Sequence, residues 1–326
     1  MLRLLAAVLA CASFVFAVDP EDHISKSTPV TSATRLVLTA DTGTLRIEPG
    51  NGKSVDVEVY FHGTPPSRAE FQRMLRDFAL DIDQQGLDIR MSGAFRGGWE
   101  PLFDLAPFFS GHPICRNWQC LEYSTWLREV EYRVRVPQKF NADVETSGGP
   151  IYLSSLDGQV NARSSGGGIT LTSCKGNAIA HTSGGPIRIR DVAGDVDAST
   201  SGGPISIERN SGRVKAHTSG GGIEIRDAMG AINASTSGGG VTASLLGQPK
   251  EECRLYTSGG SIDVRLSKDI RMDLDASTSG GRVWTDFAVP ISDDRHYSQL
   301  RAPLNGGGPR LYLHTSGGGI TVRHAD

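Results

Sequence analysis

Acidic and basic side chains recur in this chain at intervals of 18 residues, and three histidines share one column of the same repeat. Asp191 and Asp227 lie two periods apart with Arg209 midway, and Arg190, Glu208 and Arg226 occupy the column just before them. A carboxylate pair is the equipment of glycoside hydrolysis, in which one acid protonates the leaving oxygen and the other serves as base or nucleophile. With coils stacked about 4.8 Å apart, however, these aspartates stand about 10 Å from each other, and the guanidinium between them depresses a carboxylate pKa. That arrangement suits an ion pair, not a general acid. The alternating signs read as a register device, because neighbouring coils oppose unlike charges and a slip of one coil would oppose like ones. Asp195 beside Arg213 and Asp197 beside Lys215 extend the pattern. His181, His217 and His314 each stand two residues before a recurring serine, which raises a metal site. Ser199 separates the first two, putting them about 9.6 Å apart, too far to share a zinc ion whose ligands lie ~2.0 Å away. They read as solvent-facing side chains, and no catalytic, cofactor or metal residue is assigned.

These columns exist because of a period. Ser-Gly-Gly opens at Ser147, Ser165, Ser183, Ser201, Ser219 and Ser237 in steps of 18, at Ser258 and Ser279 after steps of 21, and at Ser316 after a step of 37. Ile151, Ile169, Ile187, Ile205 and Ile223 hold the fourth position after each serine, and Leu153, Leu171, Ile189, Ile207 and Ile225 the sixth. Gly158, Gly176, Gly194, Gly212 and Gly230 recur at the eleventh, and Ala162, Ala180, Ala198, Ala216 and Ala234 at the fifteenth. Spacing by two within a run means strands with alternating faces, and glycine between runs means tight turns. Each unit is a coil of two or three short strands that cannot bury its own apolar face, so the coils must stack. The fold class predicted is all-β, a β-helix or β-solenoid with about 18 residues per coil, preceded by a small α+β lead region with one helix. A Thr/Ser column before the motif serine, Thr146 to Thr315, points inward, where stacked hydroxyls could satisfy one another. Its exposed neighbour column (Glu145, Arg163, His181, Ser199, His217, Ser235, Tyr256) is too irregular for an ice-binding array.

Ahead of the coils, residues 1–17 read as a signal peptide with Arg3, an apolar run from Leu4 to Phe16 and a small-residue cleavage site, so the protein is expected to be exported, to the periplasm or the cell surface. Cys11 leaves lipoprotein anchoring as the less favoured variant. Residues 18–34 lack a pattern and read as a flexible lead-in, with a strand and helix region over 35–137 and the repeat β-helix over 138–326. Within the lead region Ser67 and Glu70 form a capping box ahead of Phe71, Met74, Leu75 and Phe78. An aromatic insert over 97–125 carries Trp99, Phe103, Phe108, Phe109 and Trp118, a candidate interaction loop, with Cys115 and Cys120 expected as a disulfide in the exported setting. The insert could equally fold back as a cap over one end of the stack. Cys174 and Cys253 lie about four coils, or roughly 19 Å, apart and are not expected to bond to each other. A net charge of −3 argues against a dedicated nucleic-acid binder.

Val134-Arg135-Val136-Pro137, the iterated Thr-Ser-Gly-Gly-x-Ile and Gly-x-Val-x-Ala units, and Leu304-Asn305-Gly306-Gly307-Gly308-Pro309 before the last Thr315-Ser316-Gly317-Gly318 resemble the bacterial putative-adhesin (Toastrack) family of β-strand-repeat proteins. The resemblance spans residues 35–326 and implies a β-helical fold and an envelope location, with no catalytic residues to carry over. The Cys-bearing insert departs from the family pattern. The functional expectation is a noncatalytic exported envelope protein, a scaffold or adhesin-like module recognising a protein or surface glycan, with end-to-end self-association open and no mature membrane span. The competing class is a β-helical polysaccharide lyase or hydrolase.

Overall fold

A computed structural model describes residues 23–30, 32–96, 123–289 and 298–325. The lead region holds β1 (His23–Pro29), β2 (Arg35–Ala40), β3 (Thr44–Pro49), β4 (Ser54–Gly63), helix α1 (Arg68–Asp77), β5 (Phe78–Gln85), β6 (Asp88–Phe95) and β7 (Leu127–Val136). The coils then alternate between two sheets. One side takes β8 (Asn141–Thr146), β10 (Val160–Ser164), β12 (Ala178–Thr182), β14 (Val196–Thr200), β16 (Val214–Thr218), β18 (Ile232–Thr236) and β20 (Cys253–Thr257). The other takes β9 (Ile151–Ser154), β11 (Ile169–Cys174), β13 (Ile187–Val192), β15 (Ile205–Asn210), β17 (Ile223–Ala228), β19 (Val241–Leu245) and β21 (Ile262–Leu266). The chain closes with β22 (Met272–Thr278), β23 (Val283–Thr285), β24 (Gln299–Leu304), β25 (Arg310–Thr315) and β26 (Ile320–His324). Each coil therefore has two strands, and the two parallel-rich sheets have 13 strands apiece.

The isoleucine and alanine columns face inward and are buried along the stack. A further inward column at the ninth position, Leu156, Cys174, Val192, Asn210 and Ala228, completes the core. Asn210 is fully buried and donates from Nδ2 to the carbonyls of Val192 and Gly194 at 3.2 and 2.8 Å. Cys174 and Cys253 are buried free thiols in different sheets, and burial pushes both up to about 11.

The threonine column is inward, but its hydroxyls do not satisfy one another. Thr182, Thr200, Thr218 and Thr236 donate to the carbonyls of Gly167, Gly185, Gly203 and Gly221 on the preceding coil at 2.8, 3.0, 2.9 and 2.7 Å. The same oxygens accept the N–H groups of Gly185, Gly203, Gly221 and Gly239 on their own coil. Buried peptide groups at a corner need partners, and one hydroxyl serves two coils. The second motif glycine is there for space: a Cβ on Gly203 would overlap the Gly185 carbonyl. The eleventh-position glycines lie against the preceding coil in the same way, and none of the repeat glycines has positive φ. The left-handed corner falls instead at the eighth position, on Ser155, Ser173, Asp191, Arg209 and Asp227, with φ of 53 to 59°.

Three features of the ends depart from the sequence reading. The lead-in expected to be patternless contains β1, which pairs antiparallel with β4 along His23–Pro29. β2 and β3 are not a separate layer: they pair in parallel with β8 and β9 and form a first coil without the Ser-Gly-Gly motif. Most consequentially, β25 lies between β20 and β22, and β26 between β21 and β23. The last coil in sequence is thus inserted before the coil of Ser279, which accounts for the 37-residue step.

Helix α1 begins as predicted, with the Ser67 side chain accepting from the Glu70 N–H at 3.2 Å. Its buried Phe71 and Met74 belong to the same continuous core as the strands. Tyr123 and Trp126, at the C-terminal root of the aromatic insert, pack with Phe71 and Phe95 at ring-centroid distances of 5.7 to 6.4 Å. That root is part of the cover of the lead region.

Candidate binding surface

The charged columns meet as their spacing requires. Arg190 reaches Glu208 at 2.9 Å, Arg209 reaches Asp191 at 2.6 Å, Arg213 reaches Asp195 at 2.9 Å, and Lys215 reaches Asp197 at 2.9 Å. The hydrogen bond from Arg209 holds Asp191 below the usual carboxylate range, and backbone and side-chain bonds from Arg213 do the same for Asp195. Such groups stay ionised and committed to a neighbour. The series breaks at the next coil, where Arg226 turns to Glu224 on its own strand at 2.5 Å and Asp227 meets Ser244. Glu208 stands opposite Arg226 but is already engaged by Arg190 and Arg209, and the following coil carries the uncharged Ser244 and Leu245 in these columns.

The histidines also spend their ring nitrogens on adjacent coils. Nδ1 of His181, His217 and His314 lies 2.5, 2.8 and 2.9 Å from the hydroxyls of Ser199, Ser235 and Ser277. A serine–imidazole contact is half of a hydrolytic triad, but catalysis needs a third group orienting the base and donors for an oxyanion. Among the described residues no carboxylate bonds these imidazoles, and no group of three His, Cys, Asp or Glu forms a metal cluster.

The inserted coil creates contacts that chain order hides. On one face of the rod, His314 of β25 comes beside Tyr256 of β20, with the rings stacked at 5.5 Å. Arg310 lies over Tyr312 at 4.9 Å and reaches Asp275 at 2.5 Å, while Arg254 reaches Glu252 at 2.8 Å. Burial opposes the charge on Asp275, but the bonds from Arg310 and Arg301 outweigh it and hold the carboxyl low. A groove of about 420 Å³ on the same face is lined by Asp195, Asp197, Arg213 and Lys215, with Glu251 and Glu252 from the longer coil.

On the opposite face the insertion assembles Asp263 of β21, Thr321 and Arg323 of β26, and Trp284 of β23 across three neighbouring strands. Trp284 is 53% exposed, and the Arg323 guanidinium carbon lies 5.7 Å from its ring centre. Arg265 and Arg323 each stand 3.9 Å from Asp263, too long for a close hydrogen bond. The buried Asp263 Oδ1 has no hydrogen-bond partner among the described residues. This cluster therefore combines an open aromatic face with unspent donors and an unspent acceptor.

The sequence reading missed both clusters. Tyr256 and His314 share a column, but stacking in chain order would put Ser277 between them. The sequence-derived interaction loop, Trp99, Phe103, Phe108, Phe109 and Trp118, and the cysteines Cys115 and Cys120 lie outside the described residues, as do the signal peptide and Cys11. No described helix is long and apolar enough to cross a membrane.

No family model and no curated protein matches the chain. Among solved structures, the chain is similar to a putative adhesin from Bacteroides fragilis, at 12% identity over 94% of this chain and 98% of the other, with a TM-score of 0.40. It is also similar to a putative cell adhesion protein from Clostridium sporogenes, at 11% identity over 93% and 100%, with a TM-score of 0.25. A third, described as a putative lipid binding protein from Parabacteroides distasonis, has 9% identity over 94% and 98% and a TM-score of 0.39.

Proposed function

We propose that this chain is an exported, noncatalytic cell-envelope protein, a β-helical scaffold that acts as an adhesin-like module binding a protein or a surface glycan. The observation that carries this reading is the Trp284 cluster, an exposed indole beside the Arg323 guanidinium, with Arg323 and its neighbour Arg265 making no close hydrogen bond to Asp263. Exposed aromatic and arginine side chains are the residue types that dominate recognition surfaces. The acids and hydroxyl–imidazole pairs that an enzyme would need are occupied with register and corner bonds, which favours binding over a lyase or hydrolase. The insert over 97–125, with its proposed Cys115–Cys120 disulfide, is the second surface to test.

The test is saturable sedimentation of the purified chain with isolated bacterial envelopes, before and after periodate or protease treatment. Saturable binding abolished by one treatment is expected and identifies glycan or protein. Non-saturable binding would contradict the proposal, as would turnover of a polysaccharide lost on a single substitution. Deleting 97–122 in parallel with Trp284→Ala separates the two surfaces.

A further inference from the structure

We propose that the Trp284 cluster is a subsite for an acidic saccharide, a sugar carrying a carboxylate. This deepens the glycan side of the function proposed above and rests on it. Trp284, Thr321 and Asp263 stand on adjacent strands β23, β26 and β21, so the outward row spans about 9.6 Å, a length one or two sugar rings cover. The indole offers a flat apolar face to the C–H face of a pyranose. Arg265 and Arg323 are register partners on β21 and β26, their side chains 55% and 50% exposed, and they share only one carboxylate, Asp263. The other acids near this row are engaged, Glu224 by Arg226 and Asp286 by the His324 N–H. The N–H donors of Arg265 and Arg323 are therefore left open to an incoming anion, and paired guanidiniums suit a carboxylate through parallel N–H donors. A neutral sugar would leave the guanidiniums unused, and an acidic peptide would leave the indole face without a matching flat ring.

The experiment is calorimetric titration of the full mature chain with oligogalacturonate, a neutral galacto-oligosaccharide of the same length, and polyglutamate. Oligogalacturonate is expected to bind at least about tenfold more tightly than either control, and more weakly as salt rises. Trp284→Ala and Arg323→Ala are each expected to weaken it by about tenfold or more, while Tyr256→Ala on the opposite face leaves it unchanged. Trp284→Phe, which keeps an aromatic face, should retain most of the affinity and guards against misfolding of the alanine variant. Equal affinity for the neutral sugar would overturn the acidic class while leaving the glycan reading standing. Equal affinity for polyglutamate would overturn the saccharide, and binding of neither saccharide would overturn the subsite while leaving a protein partner to be decided by the envelope sedimentation.

Discussion

Within Thr-Ser-Gly-Gly, each residue answers a different demand of the corner. The threonine hydroxyl closes the turn and ties it to the coil before, while the second glycine clears the neighbouring carbonyl. Thr218→Val keeps the shape but strands a buried carbonyl and N–H, so a loss of about 1–3 kcal/mol in urea unfolding is expected. Gly203→Ala drives a methyl into the Gly185 backbone and is expected to cost about 3 kcal/mol or more. Gly202→Ala meets its nearest atom, the Gly184 carbonyl oxygen, at 3.4 Å and should cost about 1 kcal/mol or less. Equal losses at the two glycines would contradict the close-approach explanation. The repeat showed that both glycines matter to a corner. Which one is indispensable depends on the preceding coil's carbonyl, which no single unit of sequence reveals.

Stacked strands turn sequence columns into contacts, which is why the pairs of Arg190, Arg209, Arg213 and Lys215 were legible in advance, while Arg226, opposite a Glu208 already held by Arg190 and Arg209, turns to Glu224 on its own strand. Exposed pairs of this kind add little stability, so Arg209→Ala is expected to lower the urea midpoint less than Thr218→Val. A deeper polar contact lies between β3, β4 and β7. Burial opposes the charge on Glu131, but hydrogen bonds from Arg133, Arg46 and His62 overcome it and hold the carboxyl down to about 2. Because its folded pKa lies below the unfolded one, the stability it contributes is present above about pH 4.5 and is lost as pH falls towards 2. Thermal melts across that window should steepen in the parent and flatten in Glu131→Gln; identical slopes would count against the contact. The helix was equally legible, because its cap and apolar spacing are local. β1 was not, since its partner β4 lies some 30 residues away and its polar sequence HISKSTP carries no alternation.

For the molecule as a whole, chain order and spatial order agree along the middle of the rod and part at both ends, where β3 lies between β7 and β9 and where the last coil in sequence comes before the coil of Ser279. The 37-residue step before Ser316 was the visible trace of that exchange, but a period alone cannot say where the late coil inserts. Among the described residues, the strand pairing that joins β22 and β23 to the earlier coils runs only through β25 and β26. Removing residues 298–326 should therefore abolish amide protection over 272–285 while leaving 141–236 protected in hydrogen exchange; uniform retention would contradict this. The same insertion assembles the Trp284 cluster on one face and the Tyr256–His314 stack on the other, so the proposed binding surface stands or falls with it. The most direct measurement is the pattern of nuclear Overhauser contacts from the Tyr256 ring in selectively labelled protein. Cross-peaks to the His314 ring are the expected result. Cross-peaks to Ser277 in their place would restore chain order and contradict the account.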